Sequence, residues 1–179
     1  MAGARSVTIA DALVSLRPLP GLAVLMCGLA GSGKTIFAMQ LEAVGFRRLS
    51  IDEEIWRRHG RYGLDYPPER YGAHVEAARA VLRAQLIDEL RSGQAVVVDS
   101  SFWSRAHRDD FKAAIEGAGG IWRLVYLKAD ETLLRERLAA RRERSDANAA
   151  LPIDEATLAR FLSSFEAPRG EGETTVRVA

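Results

Sequence analysis

The chain has 179 residues, which suffice for one well-buried core and leave little room for a second, so we expect a single domain over residues 1–179. Its 25 basic and 24 acidic residues give a net charge near zero, and so no electrostatic reason to expect nucleic acid or an anionic membrane as an obligatory partner. The single cysteine, Cys27, excludes an internal disulfide and any metal site built from several cysteines.

The first twenty residues form an N-terminal extension, 1–20, ahead of the first apolar run. They include Arg5, Asp11 and Arg17, and no apolar stretch among them is long enough for a signal peptide or a membrane span. We therefore expect a cytoplasmic protein. The residues alone leave open whether this extension packs on the core.

An apolar run at 22–27 ends in a glycine-rich stretch that matches the phosphate-binding pattern G-x-x-x-x-G-K-[ST]. The stretch consists of Gly28, Leu29, Ala30, Gly31, Ser32, Gly33, Lys34 and Thr35. Glycine permits the positive φ angles and the close approach with which backbone N–H groups surround phosphates. The pattern predicts a P-loop between a strand and a helix, and these eight residues as contacts of a nucleotide, which we take to be ATP.

The last two residues of this loop have expected roles toward ATP. Lys34 adds a positive charge beside the phosphates, where a helix N-terminus also favours anions, and we count it among the catalytic residues. Thr35 offers a hydroxyl to Mg²⁺, which prefers hard oxygen ligands. ATP is therefore expected to bind as its magnesium complex.

Apolar runs alternate with segments of helical period along the rest of the chain, which indicates an α/β protein. Strands are expected at 22–27, 47–51, 95–98, 121–127 and 174–178. Helices are expected at 34–44, 53–58, 69–91, 104–116, 130–144 and 153–165, with Gly45, Gly93 and Gly117 as C-terminal caps. The predicted fold is a three-layer αβα sandwich with a five-stranded parallel sheet and ligands at the carboxyl ends of the strands.

Asp52 follows the second predicted strand, one connection after the P-loop. A carboxylate at this strand end can orient the hydroxyl of an acceptor and take its proton while a γ-phosphoryl group is transferred. We assign Asp52 as this general base and as a contact of the acceptor. The alternative is that Asp52 caps the helix 53–58.

Asp99 ends the third apolar run, 95–98. A carboxylate at this place in a P-loop protein is typical of a residue near Mg²⁺, so Asp99 and Thr35 are the expected metal-site residues. The alternative is that Asp99 caps the connection that follows.

The acceptor is expected near the ends of the second and third strands. We assign it six side chains in addition to Asp52: Trp56, Ser101, Phe102, Trp103, Arg105 and Arg108. Arg108 lies one helical turn after Ser104 and is also assigned a catalytic role in handling phosphate charge; the alternative is an arginine on a solvent-exposed helix face. His59, Tyr62 and Tyr66 could join the aromatic residues of a nucleoside-like site; the alternative is that these rings pack in the core.

Five arginines precede a hinge-like segment and predict a closing lid at about 137–152: Arg135, Arg137, Arg141, Arg142 and Arg144. Arg137 and Arg141 lie four residues apart on one face. Both are expected to bind ATP, and Arg141 is also expected to be catalytic. The alternative is a solvent-exposed face with Glu131 and Glu136 as ion-pair partners.

These motifs resemble those of the small P-loop kinases related to zeta toxins, chloramphenicol phosphotransferase, gluconate kinase and the kinase domain of polynucleotide kinase. The resemblance spans nearly the whole chain. It implies a nucleoside-monophosphate-kinase-like fold with a helical lid, Asp52 as base and lid arginines on the phosphates. Two motifs differ: Asp99–Phe102 stands where polynucleotide kinases have Asp-x-Thr-Asn, and Ser145–Asn148 replaces the His-Phe pair of gluconate kinases.

The sequence therefore predicts a kinase that transfers the γ-phosphate of ATP to a hydroxyl of a small molecule, with antibiotics and nucleotide-like metabolites among the candidate acceptors. Two alternatives remain open. One is a polynucleotide or nucleotide 5′-hydroxyl kinase, and the other is an ATP-dependent switch that phosphorylates no acceptor. The acceptor, the choice between ATP and GTP, and the oligomeric state do not follow from the sequence.

Overall fold

The computed structural model describes residues 6–141 and 146–179. Its strands are β1 Ser6–Val7, β2 Leu22–Cys27, β3 Arg47–Ser50, β4 Val96–Asp99, β5 Ile121–Ala129 and β6 Glu173–Val178. Its helices are α1 Ile9–Ser15, α2 Lys34–Ala43, α3 Ile51–His59, α4 Tyr71–Arg91, α5 Arg105–Gly117, α6 Glu131–Arg141 and α7 Glu155–Ser164. Short 3₁₀ helices occur at Pro68–Arg70 and Ala147–Ala149.

The strands form one sheet in the order β1-β6-β5-β2-β4-β3, and every pair in it is parallel. The five predicted strands are confirmed, and β1 adds two residues at one edge. β2 is the P-loop strand and is buried at all six positions, because it lies between β4 and β5 with helices on both faces. The sheet therefore presents the carboxyl end of β2 next to the ends of β4 and β5.

Alternate side chains of β2 belong to two separate cores. Ala23, Leu25 and Cys27 pack with residues of α3, α4 and α5, whereas Val24 and Met26 pack with residues of α1 and α2. This alternation gives the predicted αβα sandwich. Burial raises the pKa of the Cys27 thiol to about 11, so this cysteine is a packing residue.

The described part of the N-terminal extension packs on the sheet. Thr8 caps α1 by accepting a hydrogen bond from the backbone N–H of Asp11 at 3.1 Å. Ala12 and Leu16 are buried in the same core as Val176 of β6. The helix α1 of the extension is thus packed on the core of the sheet.

Two predicted helix caps, Gly45 and Gly93, have the left-handed conformation that this role requires, with φ of 112° and 81°. Gly117 does not, because it is the last residue of α5, and the left-handed residue after this helix is Gly119. Within 6–141 and 146–179, no helix is both long and apolar enough to span a bilayer.

Candidate functional site

A cleft of about 1240 Å³ opens at the carboxyl ends of the strands. Its walls come from the P-loop, the first turn of α3, the segment after β4, α6, and the segment from the 3₁₀ helix Ala147–Ala149 through α7. This volume exceeds the roughly 300–1,000 Å³ typical of a pocket for one drug-sized ligand. The cleft therefore has room for a nucleotide and a second molecule.

All eight predicted P-loop residues line the cleft. Gly28 has a φ of 146°, and a Cβ at this position would lie 2.7 Å from the carbonyl oxygen of Leu127. Its N–H donates to the carbonyl of Ser101 at 3.1 Å, which ties the loop to the end of β4. α2 begins at Lys34, so its free N–H groups point into the loop, as a phosphate site requires.

The Lys34 ammonium lies within the loop and donates to the carbonyl of Leu29 at 2.8 Å. Burial lowers the pKa of Lys34, while the charges of Asp99 and Asp52 act in the opposite direction. Because burial disfavours the charged form of Lys34, an anion bound in the loop would stabilise the ammonium, which suits a phosphate chain.

Two side chains, those of Thr35 and Arg48, hold the carboxylate of Asp99. Its Oδ1 accepts a hydrogen bond from the Thr35 hydroxyl at 3.4 Å, and its Oδ2 accepts from Nε and Nη2 of Arg48 at 3.2 and 2.9 Å. Arg48 also donates to Glu53 at 2.7 Å. Asp99 is the last residue of β4, and the helix that follows, α5, is capped by Ser104.

Arg48 is a site residue that the sequence analysis missed. Its side chain is buried although it lies on the edge strand β3, because the two carboxylates of Asp99 and Glu53 neutralise and fix it. The sequence offered one signal for this role, because Arg48 is a charged residue within a strand that is otherwise expected to be apolar. Arg48 holds Oδ2 of Asp99 in place and leaves Oδ1 directed toward Thr35.

The donor set at this point fits Mg²⁺ bound together with a nucleotide. Thr35 and Asp99 supply hard oxygen atoms beside the P-loop, and the buried hydroxyl of Ser32 has no hydrogen-bond partner among the described residues. In the described residues, no cluster of three or more His, Cys, Asp or Glu side chains could hold a metal by itself. Such a site suits an ion that takes its remaining ligands from water and phosphates.

Asp52 lines the cleft as the second residue of α3. The cap of this helix is Ser50, whose hydroxyl accepts from the N–H of Glu53 at 3.4 Å, so Asp52 does not have the alternative role of a cap. Burial raises the pKa of Asp52, and the charge of Asp99 adds to this effect, whereas Arg141 and Lys34 oppose it. A carboxylate with a raised pKa is a stronger base than an ordinary one.

The arginines of α6 divide between two faces. Arg137 lines the cleft and donates to the carbonyl of Gly31 at 3.4 Å. Arg141 also lines the cleft, and its buried Nε has no hydrogen-bond partner among the described residues. Arg135 points the other way and pairs with Glu131 and Glu155. Arg142, Arg144 and Ser145 lie outside the described residues.

The 3₁₀ helix of the lid, Ala147–Ala149, contacts α3. The side-chain amide of Asn148 donates to Glu53 of α3 at 3.5 Å, and its buried Oδ1 has no partner in the described residues. The lid core consists of Leu138 from α6 with Ile153 and Leu158. Ala30 of the P-loop packs against this core, while the 3₁₀ helix contacts α3.

Besides Asp52, two of the predicted acceptor residues line the cleft, Ser101 and Trp103. Trp103 is 42% exposed although it is a large aromatic residue. The N–H of Glu166 donates to the carbonyl of Trp103 at 2.9 Å, which brings Phe165 to the same part of the cleft. Further lining residues that the sequence analysis did not predict are Tyr71, Val75, Arg79 and Phe165.

Arg108 is not in the cleft, contrary to expectation. It is fully buried, and its Nε and Nη2 donate to Glu171 at 2.8 and 2.6 Å. Its Nη1 donates to the carbonyl of Phe102 at 2.8 Å. The face of α5 that carries Arg108 meets the core and the segment before β6, so Arg108 is a structural residue with neither a catalytic nor an acceptor role.

Three other assigned residues also lie away from the cleft lining. Phe102 is buried and packs its ring against Phe111 with centroids 5.0 Å apart. Arg105 is exposed and pairs with Asp109 one turn along α5. Trp56 lies one helical turn after Asp52, farther from the end of the strand, and does not line the cleft.

The remaining aromatic candidates pack with one another between α3 and α4. The rings of His59 and His74 stack with centroids 3.6 Å apart, and Tyr66 meets both rings edge to face. Tyr62 contacts Tyr66 and Tyr71 in the same way. His59, Tyr62 and Tyr66 are therefore packing residues, which was the alternative to an acceptor role.

Because Glu171 neutralises Arg108 in the core, Glu171→Gln is expected to destabilise the fold by about 3 kcal/mol, the typical cost of an uncompensated buried charge. The measurement is urea denaturation followed by circular dichroism. Glu42→Gln, at an exposed position of α2, serves as the control for the same chemical change. If both variants unfold at the wild-type midpoint, Arg108 does not depend on this pair.

Comparisons with known proteins agree with the fold. Residues 24–168 match the family model described as an AAA domain, AAA_33. A gluconokinase from Sinorhizobium meliloti 1021 is 27% identical over 88% of this chain and 82% of that chain, with a TM-score of 0.58. Kti12 of Chaetomium thermophilum, solved in complex with ADP-AlF3, is 18% identical over 88% of each chain, with a TM-score of 0.61.

A chain of the Pnkp1/Rnl/Hen1 RNA repair complex is 18% identical over 87% of this chain and 50% of that chain, with a TM-score of 0.59. No curated protein sequence matches the chain. The P-loop Gly28–Thr35 lies within the matched range, as do the strands β3, β4 and β5. The chain therefore belongs to the AAA domain family of P-loop proteins, and its fold is the α/β fold of P-loop kinases.

Proposed function

We propose that the chain is an ATP- and Mg²⁺-dependent kinase that phosphorylates a hydroxyl group of a small molecule. The observation that carries this proposal is the position of Asp52. Its carboxylate lines the same cleft as the P-loop, its pKa is raised, and the charges of Lys34, Asp99 and Arg141 act on it. Nucleotide binding alone does not require a strong base at this place, whereas phosphoryl transfer to an alcohol does.

The proposed reaction assigns one task to each side chain. The P-loop N–H groups and Lys34 would hold the phosphates, and Thr35 and Asp99 would hold Mg²⁺, which would neutralise phosphate charge. Asp52 accepts the proton of the acceptor hydroxyl while the hydroxyl oxygen bonds to the γ-phosphorus. The bond between that phosphorus and the β–γ bridging oxygen breaks, and ADP leaves.

The acceptor half of the cleft favours a molecule with an apolar, flat body. Trp103, Tyr71 and Phe165 line this half together with Val75, and aromatic side chains stack on flat rings. These residues support a phenolic antibiotic or a nucleoside-like metabolite better than a sugar acid. The 3₁₀-helical part of the lid brings the carboxylate of Asp146 and the amide of Asn148 to the cleft, and neither favours an acidic acceptor.

A 5′-hydroxyl kinase for nucleotides or oligonucleotides is the second candidate. It is favoured by the likeness to a chain of an RNA repair complex and by Arg79 and Arg160, which line the cleft. The near-neutral charge of the whole chain weighs against it, because a polynucleotide backbone requires several cationic contacts.

Mass spectrometry after incubation with MgATP tests the proposal. The acceptor panel contains nucleosides, phenolic and aminoglycoside antibiotics, sugar acids and a 5′-hydroxyl oligonucleotide, and Lys34→Ala is the control. We expect one small molecule to gain a phosphoryl group with wild type and none with the variant. Labelling of the oligonucleotide alone would select the second candidate, and ADP release without any phosphorylated product would favour a switch.

A further inference from the structure

The expected Mg²⁺ site, formed by Thr35 and Asp99, is connected to the lid through three further side chains. The first two are Arg48 and Glu53. The guanidinium of Arg48 donates to Asp99 through Nε and Nη2 and to Glu53 through Nη1. Only 5% of the Arg48 side chain is exposed, whereas 47% of the Glu53 side chain is. Glu53 therefore connects a buried cation behind the metal site to the open cleft, which it lines.

The charges of these side chains determine what Asp99 can offer to a metal ion. Arg48 by itself would neutralise Asp99, because two of its N–H groups donate to one oxygen of that carboxylate. Glu53 accepts from the same guanidinium, so that the two carboxylates and the one cation together carry a net negative charge. A divalent ion is attracted to such a group more strongly than to a neutral pair. Glu53 thus preserves the attraction of Asp99 for Mg²⁺.

The same contacts fix the orientation of Asp99. Its Oδ2 accepts both hydrogen bonds from Arg48, and its Oδ1 is left to the hydroxyl of Thr35. The parallel pairing of β3 with β4, with Ser50 opposite Asp99, places the guanidinium beside this carboxylate. Residues behind a metal ligand commonly determine its orientation, and their loss lowers the affinity for the metal. Arg48 and Glu53 are placed to act on the metal site in this way.

Asn148 is the third side chain and joins this group to the lid. Its amide donates to Oε1 of Glu53 at 3.5 Å, and the same oxygen accepts from Arg48 at 2.7 Å. The 3₁₀ helix Ala147–Ala149 contacts α3, which carries Glu53 in its first turn. One carboxylate oxygen therefore lies between the lid and the guanidinium that holds Asp99.

We propose that Glu53 is a positioning residue that couples the lid to the Mg²⁺ site. The contact of Asn148 with Glu53 holds Arg48 and Asp99 in place and so strengthens metal binding. Because such coupling is reciprocal, Mg²⁺ bound with a nucleotide strengthens the contact of the 3₁₀ helix with α3. The lid thereby distinguishes a magnesium-loaded nucleotide from a free one. This inference rests on the nucleotide and Mg²⁺ binding of the proposed function and does not require phosphoryl transfer.

Isothermal titration calorimetry with ADP tests this coupling. Each protein is titrated once with MgCl₂ and once with EDTA present, and the ratio of the two dissociation constants gives the gain in affinity from Mg²⁺. Glu53→Ala is expected to lower this gain about fivefold, less than the roughly 10- to 100-fold cost of losing a direct partner of a metal ligand. Asn148→Ala is expected to lower it about threefold, the effect of one hydrogen bond.

Two further proteins complete the experiment. The double variant should lose no more than about fivefold, because both residues act through one contact. Glu42→Ala, at an exposed position of α2 that does not line the cleft, is the control and should keep the gain of the wild type.

The outcomes separate this inference from the proposed function. An equal loss of ADP affinity with and without Mg²⁺ would overturn the coupling, because the residues would then contact the nucleotide itself or only support the fold. An unchanged gain in either single variant, or losses that multiply in the double variant, would also overturn it. These titrations contain no acceptor, so a protein that shows the expected coupling but phosphorylates nothing would refute the kinase proposal alone.

Discussion

Asp52→Asn is expected to lower kcat about 10³-fold, within the range for loss of a general base, while the affinity for MgATP stays within about threefold of wild type. The amide keeps the shape of the carboxylate but cannot accept the proton of the acceptor hydroxyl. The measurements are steady-state kinetics with the acceptor found by mass spectrometry, and calorimetric titration with MgATP. Full activity in this variant would exclude Asp52 as the base.

The pH dependence gives a second test of the same residue. A base must be deprotonated to act, and burial beside Asp99 raises the pKa of Asp52. The kcat/KM of the wild type should therefore fall on the acid side at a pH above the ordinary carboxyl pKa of about 4, and Asp52→Asn should lack this decline.

Stability should change in the opposite direction to activity. Because the folded-state pKa of Asp52 is raised, its charged form opposes folding once the pH exceeds the ordinary carboxyl pKa, and its contribution to stability declines as the pH rises through the folded-state value. Asp52→Asn removes this cost and should raise the melting temperature at pH 7. Asp88→Asn, on the exposed side of α4, is the matched control.

The strand-end residues were predictable because local sequence determines them. The P-loop pattern, Asp52 and Asp99 each follow an apolar run directly, and parallel strands bring their carboxyl ends to one edge. Arg108 was not predictable in this way. Its helical position was correct, but Glu171, which is 63 residues away, determines that its face of α5 meets the core.

Contacts between residues distant in the sequence also explain why the sequence analysis missed other residues. Arg48 is understood only when β3 pairs with β4 and places Asp99 beside it. Ile9 lines the cleft because β1 joins the far edge of the sheet, a two-residue pairing that no periodicity could reveal. Local pattern thus predicts which side chains lie at the strand ends, whereas long-range packing determines which further side chains reach the cleft.

Arg141→Met is expected to lower kcat about 10³-fold, since a guanidinium on the transferring phosphoryl group contributes about 10³- to 10⁵-fold in related reactions. The Nε of Arg141 is buried in the cleft wall without a partner among the described residues, so an anion there would complete its hydrogen bonding. Arg137→Met should mainly raise the KM for ATP, because Arg137 contacts the P-loop carbonyl of Gly31. Arg135→Met is the control on the opposite face of α6.

The effect of Arg141 on the pKa of Asp52 gives a further test of its position. Its positive charge lowers the pKa of Asp52, so Arg141→Met should move the acid limb of kcat/KM to higher pH, whereas Arg135→Met should not. Combining Arg141→Met with Asp52→Asn should cost less than the sum of the two single losses, because the residues act on one transition state. If the losses add, or if Arg141→Met raises KM and leaves kcat unchanged, Arg141 binds ground-state ATP and does not stabilise phosphoryl transfer.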